Sequence, residues 1–314
     1  FYLFYVLSCY HFYLTFKGCV HAASVPSVVQ RQNDIFNVEL AKCHSKIGRI
    51  EKIEVQYNGT PEPCKLMMNK NISTPYNVAQ HINEWTTKHS ALALVNKNFL
   101  WDMHRALDSD CELQFLKFTD SDPFYVNKAF WRTCSFLLGA VIQEAFSSHI
   151  TVTLHSFPSP NVASGSFIYD ASLNLEDWKP SLDELRTLSA HMMRLSQKEW
   201  PIERLEVTEK VATEIFADNR FKLEQIPGIA SSQDGKLTLY RVGSHIDISK
   251  GPMVGNSSFV GRCSITGVHQ IESNDGRLFR FQGVALPKGI LLNHFAYRIL
   301  EDRASKLVSQ SINI

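Results

Sequence analysis

The chain has 314 residues, 44% of them hydrophobic and 20% charged, a composition that allows two or three folded domains and excludes wholesale disorder. Its 32 Lys and Arg residues against 31 Asp and Glu give a net charge of +1, so the chain lacks the strongly basic footprint of many nucleic-acid-binding proteins. The seven cysteines are odd in number and scattered, without a Cys-x-x-Cys, which argues against a disulfide framework or a zinc knuckle and favours a reducing compartment.

Residues 1–32 are interpreted as a presequence or as an imprecise start of the gene. The segment from Phe1 to Phe16 is almost wholly apolar, yet it is too short for a comfortable membrane span. No acidic residue precedes Asp34, which suits a mitochondrial presequence, although Lys17 and Arg31 are the only basic residues. We expect no membrane partner.

Residues 33–46 are predicted to form a short amphipathic helix in front of the first domain, because Ile35, Phe36, Val38 and Leu40 are apolar. Two interpretations remain open for it. The helix either clamps onto a neighbouring protein or is an ordinary leading helix of this chain.

Residues 47–120 are predicted to form a small first domain. Positions 50–57 alternate apolar and polar residues, which predicts a half-buried strand. Asn58-Gly59 predicts a hairpin turn leading into a return strand at 65–68, since both residues tolerate positive φ. Further strands are predicted at 91–95 and 112–118.

A helix between these strands is predicted to start at Ser73-Thr74-Pro75, with a hydroxyl at the N-cap and Pro at the first helical position. Its buried stripe would consist of Val78, Ala79, Ile82 and Trp85.

After a polar linker, residues 124–286 are predicted to form a second, α+β domain. Helices are predicted at 127–146, 181–195 and 208–216, the second of them capped by Ser181 and Glu184 in a capping box; strands are predicted at 151–154, 237–240 and 264–271. Residues 287–314 are expected to contain a C-terminal helix from 292 to 308.

Two segments of the second domain resemble the two halves of the editing site in threonyl-tRNA synthetases and related tRNA-editing proteins. One is Trp-Arg-Thr-Cys-Ser-Phe-Leu-Leu-Gly-Ala at 131–140, and the other runs from 239 to 254 through Gly251-Pro252. The family has His-x-x-x-His in the first half and Cys-x-x-x-His in the second. By this resemblance, the four editing positions are occupied here by Arg132, Phe136, Ser249 and Met253.

These four side chains cannot perform the family's chemistry. A guanidinium is not a base at neutral pH, a phenyl ring has no polar atom, a serine hydroxyl is a poor metal ligand, and a thioether is soft and neutral. We therefore expect no catalytic residue, no metal, no cofactor and no small-molecule substrate. Apolar filling by Phe136 and Met253 should also occlude the cleft.

The rest of the chain extends the resemblance. Residues 47–120 resemble the β-grasp TGS domain at the front of threonyl-tRNA synthetases, on the phrases Thr74-Pro75, 91–101 and 110–113. Residues 278–285 resemble the strand that closes the editing domain. No segment resembles the aminoacylation core, so we expect neither an ATP site nor amino-acid activation.

A TGS-like domain followed by an inactive editing-like domain is similar to the threonyl-tRNA-synthetase-like proteins of the mitochondrial large ribosomal subunit. The phrases at 33–37, 49–55, 68–75 and 281–284 are particularly close. The resemblance implies a structural constituent of the mitochondrial ribosome, with large-subunit rRNA and neighbouring ribosomal proteins as partners. The alternatives are a free-standing tRNA-editing deacylase and a TGS-based RNA-binding regulator.

No other catalytic motif is found. His155, His191, His245 and His269 have no acid or Cys at ligand spacing and are expected to be structural. The RNA-contacting residues stay unknown, because the basic residues near the C-terminus are either phosphate contacts or a solvated helix face: Arg277, Arg280, Lys288, Arg298, Arg303 and Lys306.

Overall fold

The structure, a computed structural model, describes residues 27–308. The helices are α1 (Ser27–Ser45), α2 (Pro75–Ile82), α3 (Glu84–His89), α4 (Phe124–Ala145), α5 (Leu182–Gln197), α6 (Glu209–Ile215), α7 (Arg220–Ser231) and α8 (His294–Ala304). The strands are β1 (Lys52–Tyr57), β2 (Cys64–Asn69), β3 (Leu92–Val95), β4 (Phe99–Trp101), β5 (Cys111–Leu116), β6 (Val152–Ser156), β7 (Phe167–Leu173), β8 (Glu203–Thr208), β9 (Lys236–Val242), β10 (His245–Ile248), β11 (Val260–Ser273) and β12 (Gly276–Pro287). The α+β class expected from the sequence is confirmed.

The first five strands form one sheet in the order β2-β1-β5-β3-β4, in which β1 and β5 run parallel. The alternation predicted for β1 is present, because Ile53, Val55 and Tyr57 are buried while the residues between them are exposed. Val78 and Ala79 of α2 cover this face, so the predicted helix stripe and strand face meet in one core.

The start of α2 agrees with its prediction, and its end does not. Thr74 caps the helix in a reciprocal capping box with Asn77, and Pro75 occupies the first turn. At Asn83 the backbone becomes extended, and the Asn83 side chain caps α3 instead. The stripe therefore stops short of Trp85, which is 53% exposed.

The predicted hairpin between β1 and β2 is present, but its turn is wider than Asn58-Gly59. Tyr57 pairs with Cys64, so residues 58–63 form a wider loop. The loop is held by the Tyr57 hydroxyl, which donates to the Thr60 carbonyl at 2.6 Å, and by the Asn58 N–H, which donates to the Leu113 carbonyl at 2.9 Å. These tertiary bonds outweigh the local preference for a tight turn.

The remaining strands form two sheets, in the orders β11-β12-β7-β6 and β10-β9-β8. The apolar helix α4 lies between them, and its residues from Thr133 to Ile142 are all buried. It begins at Phe124, three residues before the predicted start, and it packs on β7 and on α5, whose capping box between Ser181 and Glu184 is confirmed.

Helix α7 was not predicted, because Pro227 and Gly228 in its sequence are poor helix formers. Asn219 caps it by accepting hydrogen bonds from the N–H groups of Phe221 and Lys222. Sequence patterning therefore missed the element that supplies Lys222 to the interior.

Helix α1 starts at least six residues before the predicted Asn33, so part of the segment assigned to a presequence is helical. The rest of that segment, residues 1–26, lies outside the described residues. Phe36 is fully buried against α6, α7 and β9, and the Asn33 amide donates to the Ser244 carbonyl at 2.8 Å. These contacts fit an ordinary leading helix better than a clamp on a neighbouring protein.

The C-terminal helix α8 is shorter than predicted, and the residues after it run along the β7-β12-β11 sheet. The Gln282 amide donates to the carbonyls of Ala304 and Lys306 at 2.9 Å each. Arg280 is buried and forms a bidentate pair with Asp170 at 2.8 and 2.9 Å, so it is not an exposed phosphate contact. Within residues 27–308, the helices are all too short or too polar to cross a bilayer.

Replacing Phe36 by Ala removes a fully buried ring and should lower the free energy of unfolding by about 3–5 kcal/mol, measured by urea denaturation. Val38→Ala on the same helix is the matched control, because Val38 is 53% exposed and its truncation should change stability by less than about 0.5 kcal/mol. Equal effects of the two changes would contradict the packing of α1 on its own chain.

Candidate functional site

The candidate site lies where α4 meets the loop that follows β10. The Arg132 guanidinium donates to the Pro252 carbonyl at 2.9 Å, and the Val254 N–H donates to the Thr133 hydroxyl at 3.0 Å. The two segments that resemble an editing site are 120 residues apart in sequence, and these bonds bring them together.

The four predicted site residues divide into two groups. Phe136 and Met253 are 0% and 1% exposed and belong to the same apolar core. Arg132 and Ser249 are only half-buried, and the Ser249 hydroxyl accepts a local hydrogen bond from the Gly251 N–H at 3.3 Å. A phenyl ring and a thioether thus fill the interior between the helix and the loop, while a cation and a hydroxyl lie nearer its surface.

A buried carboxylate from the first sheet holds the loop in place. Asp102, which follows β4, accepts hydrogen bonds from the Met253 N–H at 2.8 Å and from the Tyr240 hydroxyl at 2.9 Å. Burial raises the pKa of the Asp102 carboxyl, and the Met253 N–H and the Arg204 guanidinium oppose part of that rise. The first sheet therefore contributes directly to the geometry of the site.

Gly251 is required by the same arrangement. Its φ is +67°, and an added Cβ would overlap the Tyr240 hydroxyl. A side chain here would displace either the loop or the bond between Tyr240 and Asp102.

A second buried polar cluster adjoins Phe136, and sequence reasoning missed it. Lys222 of α7 forms an ion pair with Asp247 of β10, and both are almost completely buried. Asp247 also accepts hydrogen bonds from the Tyr169 hydroxyl at 2.6 Å and from the Ile248 N–H at 2.7 Å. The one available signal was an Asp between two isoleucines, at a position where a strand facing the core should be apolar.

His245 lies beside this cluster, with its ring 5.1 Å from that of Phe136. Its Nδ1 is 2.7 Å from the Gln143 side-chain oxygen, and its buried Nε2 has no hydrogen-bond partner within the described part of the chain. Burial lowers the pKa of His245 to about 4, so the ring is neutral at neutral pH.

The expectation that His155 has no acidic partner is wrong. Its Nε2 lies 2.9 Å from the Asp275 carboxylate, which comes from the turn between β11 and β12. The pair is separated by 120 residues and was invisible to spacing arguments. It ties a turn to β6 and is remote in sequence from the candidate site.

The arrangement at the four positions supplies binding groups rather than a base. Arg132 offers N–H donors, Ser249 offers a hydroxyl, and Phe136 and Met253 offer only apolar surface. Across residues 27–308 there is no group of three or more His, Cys, Asp or Glu side chains that could hold a metal ion.

Comparison with known proteins shows that the chain is similar to threonine–tRNA ligases. No protein-family model matches the chain. It is 28% identical over 250 residues to the probable cytoplasmic threonine–tRNA ligase 1 of Dictyostelium discoideum, covering 79% of this chain and 33% of the ligase. It is 30% identical over 192 residues to the mitochondrial threonine–tRNA ligase 1 of Arabidopsis thaliana, covering 60% of this chain and 25% of the ligase. The chain thus spans a quarter to a third of these ligases, and the similarity fits a synthetase-like α+β fold.

A much stronger similarity defines the family. The chain is 50% identical over 278 residues to the large ribosomal subunit protein mL39 of Drosophila melanogaster. The aligned region covers 88% of this chain and 84% of that protein. The chain belongs to the mL39 family.

Lys222→Met should lower the free energy of unfolding by about 3–5 kcal/mol in urea titrations, because it leaves the buried Asp247 carboxylate without its cation. Adding Asp247→Asn to this variant removes the unpaired charge and should recover part of the loss. A double variant less stable than the sum of the two single changes would contradict the ion pair.

The His245 pKa predicts a pH dependence of stability. The unfolded chain protonates His245 below about pH 6.5, whereas the folded chain keeps it neutral down to about pH 4. Its contribution to stability is therefore complete above pH 6.5 and is lost as the pH falls toward 4, by about 3 kcal/mol in all. His245→Gln should remove this part of the slope, measured as the difference between wild-type and variant urea curves from pH 7 to pH 4. His44→Gln, at an exposed position, is the matched control.

Proposed function

We propose that this chain is a non-catalytic structural constituent of the mitochondrial large ribosomal subunit, located in the matrix and bound to large-subunit rRNA and neighbouring ribosomal proteins. The observation that carries the proposal is the 50% identity to large ribosomal subunit protein mL39 over most of both chains. Identity at that level and coverage leaves room for differences in individual contacts but not for a different architecture.

The absence of hydrolytic activity belongs to this proposal. We infer that Arg132, Phe136, Ser249 and Met253 stand at the editing positions of the ligases. The burial of Phe136 and Met253 in one apolar core supports this assignment, since neither side chain is accessible to an ester substrate from solvent. Membrane and small-molecule partners play no part in the proposed role.

We also propose that the chain divides into a TGS-like domain at 47–120, an editing-like domain at 124–286 and a C-terminal segment at 287–314. The division is supported by a separate apolar core within the first sheet, made of residues between Ile53 and Phe115. Asp102 and its partners then form the main polar contact between the two domains.

A tagged copy of the chain, expressed in cells, should sediment with the large ribosomal subunit when a mitochondrial lysate is run through a sucrose gradient. It should stay with that subunit when subunits are separated at low Mg²⁺. A chain that remains at the top of the gradient would point to the TGS-based RNA-binding regulator.

The purified chain should also fail to release amino acid from mischarged tRNA, because the four positions contain no general base. A threonine–tRNA ligase with an intact editing site serves as the positive control. Robust turnover by this chain would support the alternative of a free-standing deacylase and would refute the non-catalytic part of the proposal.

A further inference from the structure

The first two turns of α4 carry aromatic rings and cations on one exposed face. At about 100° per residue, Phe124, Tyr125, Lys128 and Arg132 all fall within about a third of the helix circumference. Phe124 and Tyr125 are 55% and 51% exposed, and their rings meet edge to face at 5.4 Å. About half of each ring is therefore open to solvent.

Neither cation on this face forms an ion pair within residues 27–308, although the Asp102 carboxylate attracts the Arg132 guanidinium. Arg132 donates to the Pro252 carbonyl and forms no ion pair, and Lys128 has neither a hydrogen bond nor an ion pair. Lys128 and Arg132 are four residues apart on the helix, and both side chains are half-buried. Burial lowers the pKa of Arg132, and a bound anion would reverse that effect.

The nearest acidic residues are already engaged. Asp122 accepts a hydrogen bond from the Phe124 N–H at the start of the helix, and the buried Asp102 is bonded to Tyr240 and Met253.

We propose that this strip, defined as Phe124, Tyr125, Lys128 and Arg132, binds single-stranded RNA. The cations contact backbone phosphates, with the planar guanidinium suited to two phosphate oxygens, and the rings of Phe124 and Tyr125 stack on unpaired bases. The proposal rests on the proposed function, and it names a surface through which the chain contacts rRNA.

The composition of the strip favours RNA over a protein surface. The cores of protein interfaces are depleted in lysine, whereas single-stranded RNA sites combine a cationic track with aromatic platforms. RNA phosphates would also supply the ion pairs that Lys128 and Arg132 do not form within residues 27–308.

The binding test uses fluorescence anisotropy with a labelled single-stranded RNA of about ten nucleotides, titrated at several salt concentrations. Each phosphate contact contributes about 0.7 to the slope of log affinity against log salt on single strands. Lys128→Ala should reduce that slope by about 0.7, and adding Arg132→Ala should reduce it by about 0.7 again.

Lys128→Ala alone removes no hydrogen bond or ion pair within the described structure, so a folding defect is not expected from it. The charge-matched control is Lys179→Ala with Lys210→Ala, two exposed lysines outside the strip. Lys179 adjoins Trp178, whose ring packs on Phe146 just beyond the opposite end of α4. Equal slope changes in the control pair and in the strip pair would overturn the proposal.

Stacking is tested at Tyr125. Tyr125→Ala should weaken binding by about tenfold, whereas Tyr125→Phe, which keeps the ring, should bind almost as the wild type does. A base-paired RNA hairpin without unpaired bases should bind more weakly than the single strand. Equal binding of hairpin and single strand would overturn the assignment of the rings to base stacking.

The gradient experiment separates this inference from the proposed function. A wild-type chain that fails to sediment with the large subunit contradicts the proposed function whatever its affinity for the oligonucleotide. A chain that sediments with the subunit, but whose strip variants bind the oligonucleotide as the wild type does, contradicts the strip alone. Loss of co-sedimentation without loss of RNA binding would identify the face as a protein contact and would equally overturn the inference.

Discussion

The arrangement of the second half of the molecule depends on the hydrogen bonds that the buried Asp102 carboxylate accepts. Asp102 directly follows the first sheet, and its carboxylate accepts hydrogen bonds from the Tyr240 hydroxyl and from the Met253 N–H, which lie much later in the chain. A buried charge is tolerated only when its lone pairs are satisfied, so the loop around Gly251 and Pro252 cannot shift without exposing an unmet acceptor. The position of that loop over α4 is thus set by a residue that precedes it by 151 positions.

The sequence allowed the prediction of those elements whose local signals agree with their burial. The alternation in β1, the hydroxyl and proline at the start of α2 and the capping box of α5 are local features, and the structure contains all three. The turn at Asn58-Gly59, the exposure of Trp85 and the helix α7 were missed, because bonds to Leu113, the second cap at Asn83 and the packing of a helix containing Pro227 are decided outside the local window. Tertiary contacts outweigh helix propensities, which amount to about 1 kcal/mol or less for most residues and about 3 kcal/mol for proline.

At the candidate site, sequence resemblance found the two segments but not the polar cluster beside them. The short motifs Leu-Leu-Gly and Gly-Pro are visible in the sequence itself. The pairing of Lys222 with Asp247 is not, because Lys222 lies on a helix that contains Pro227 and was therefore not predicted. The site therefore combines an apolar filling at Phe136 and Met253 with a fully satisfied ion pair next to it. Such a pair fixes the relative position of α7 and β10, which suits a protein whose proposed role depends on shape.

The packing of α1 has a consequence for how the chain folds during its synthesis. Its Asn33 bonds to Ser244, 211 residues further on, so the helix emerges during synthesis long before its docking surface exists. At roughly 5–20 residues per second, α1 waits about ten to forty seconds with its apolar side uncovered. During that interval the Phe36 side of the helix is accessible to chaperones. The surface on which α1 packs is complete only when β10 has left the translating ribosome.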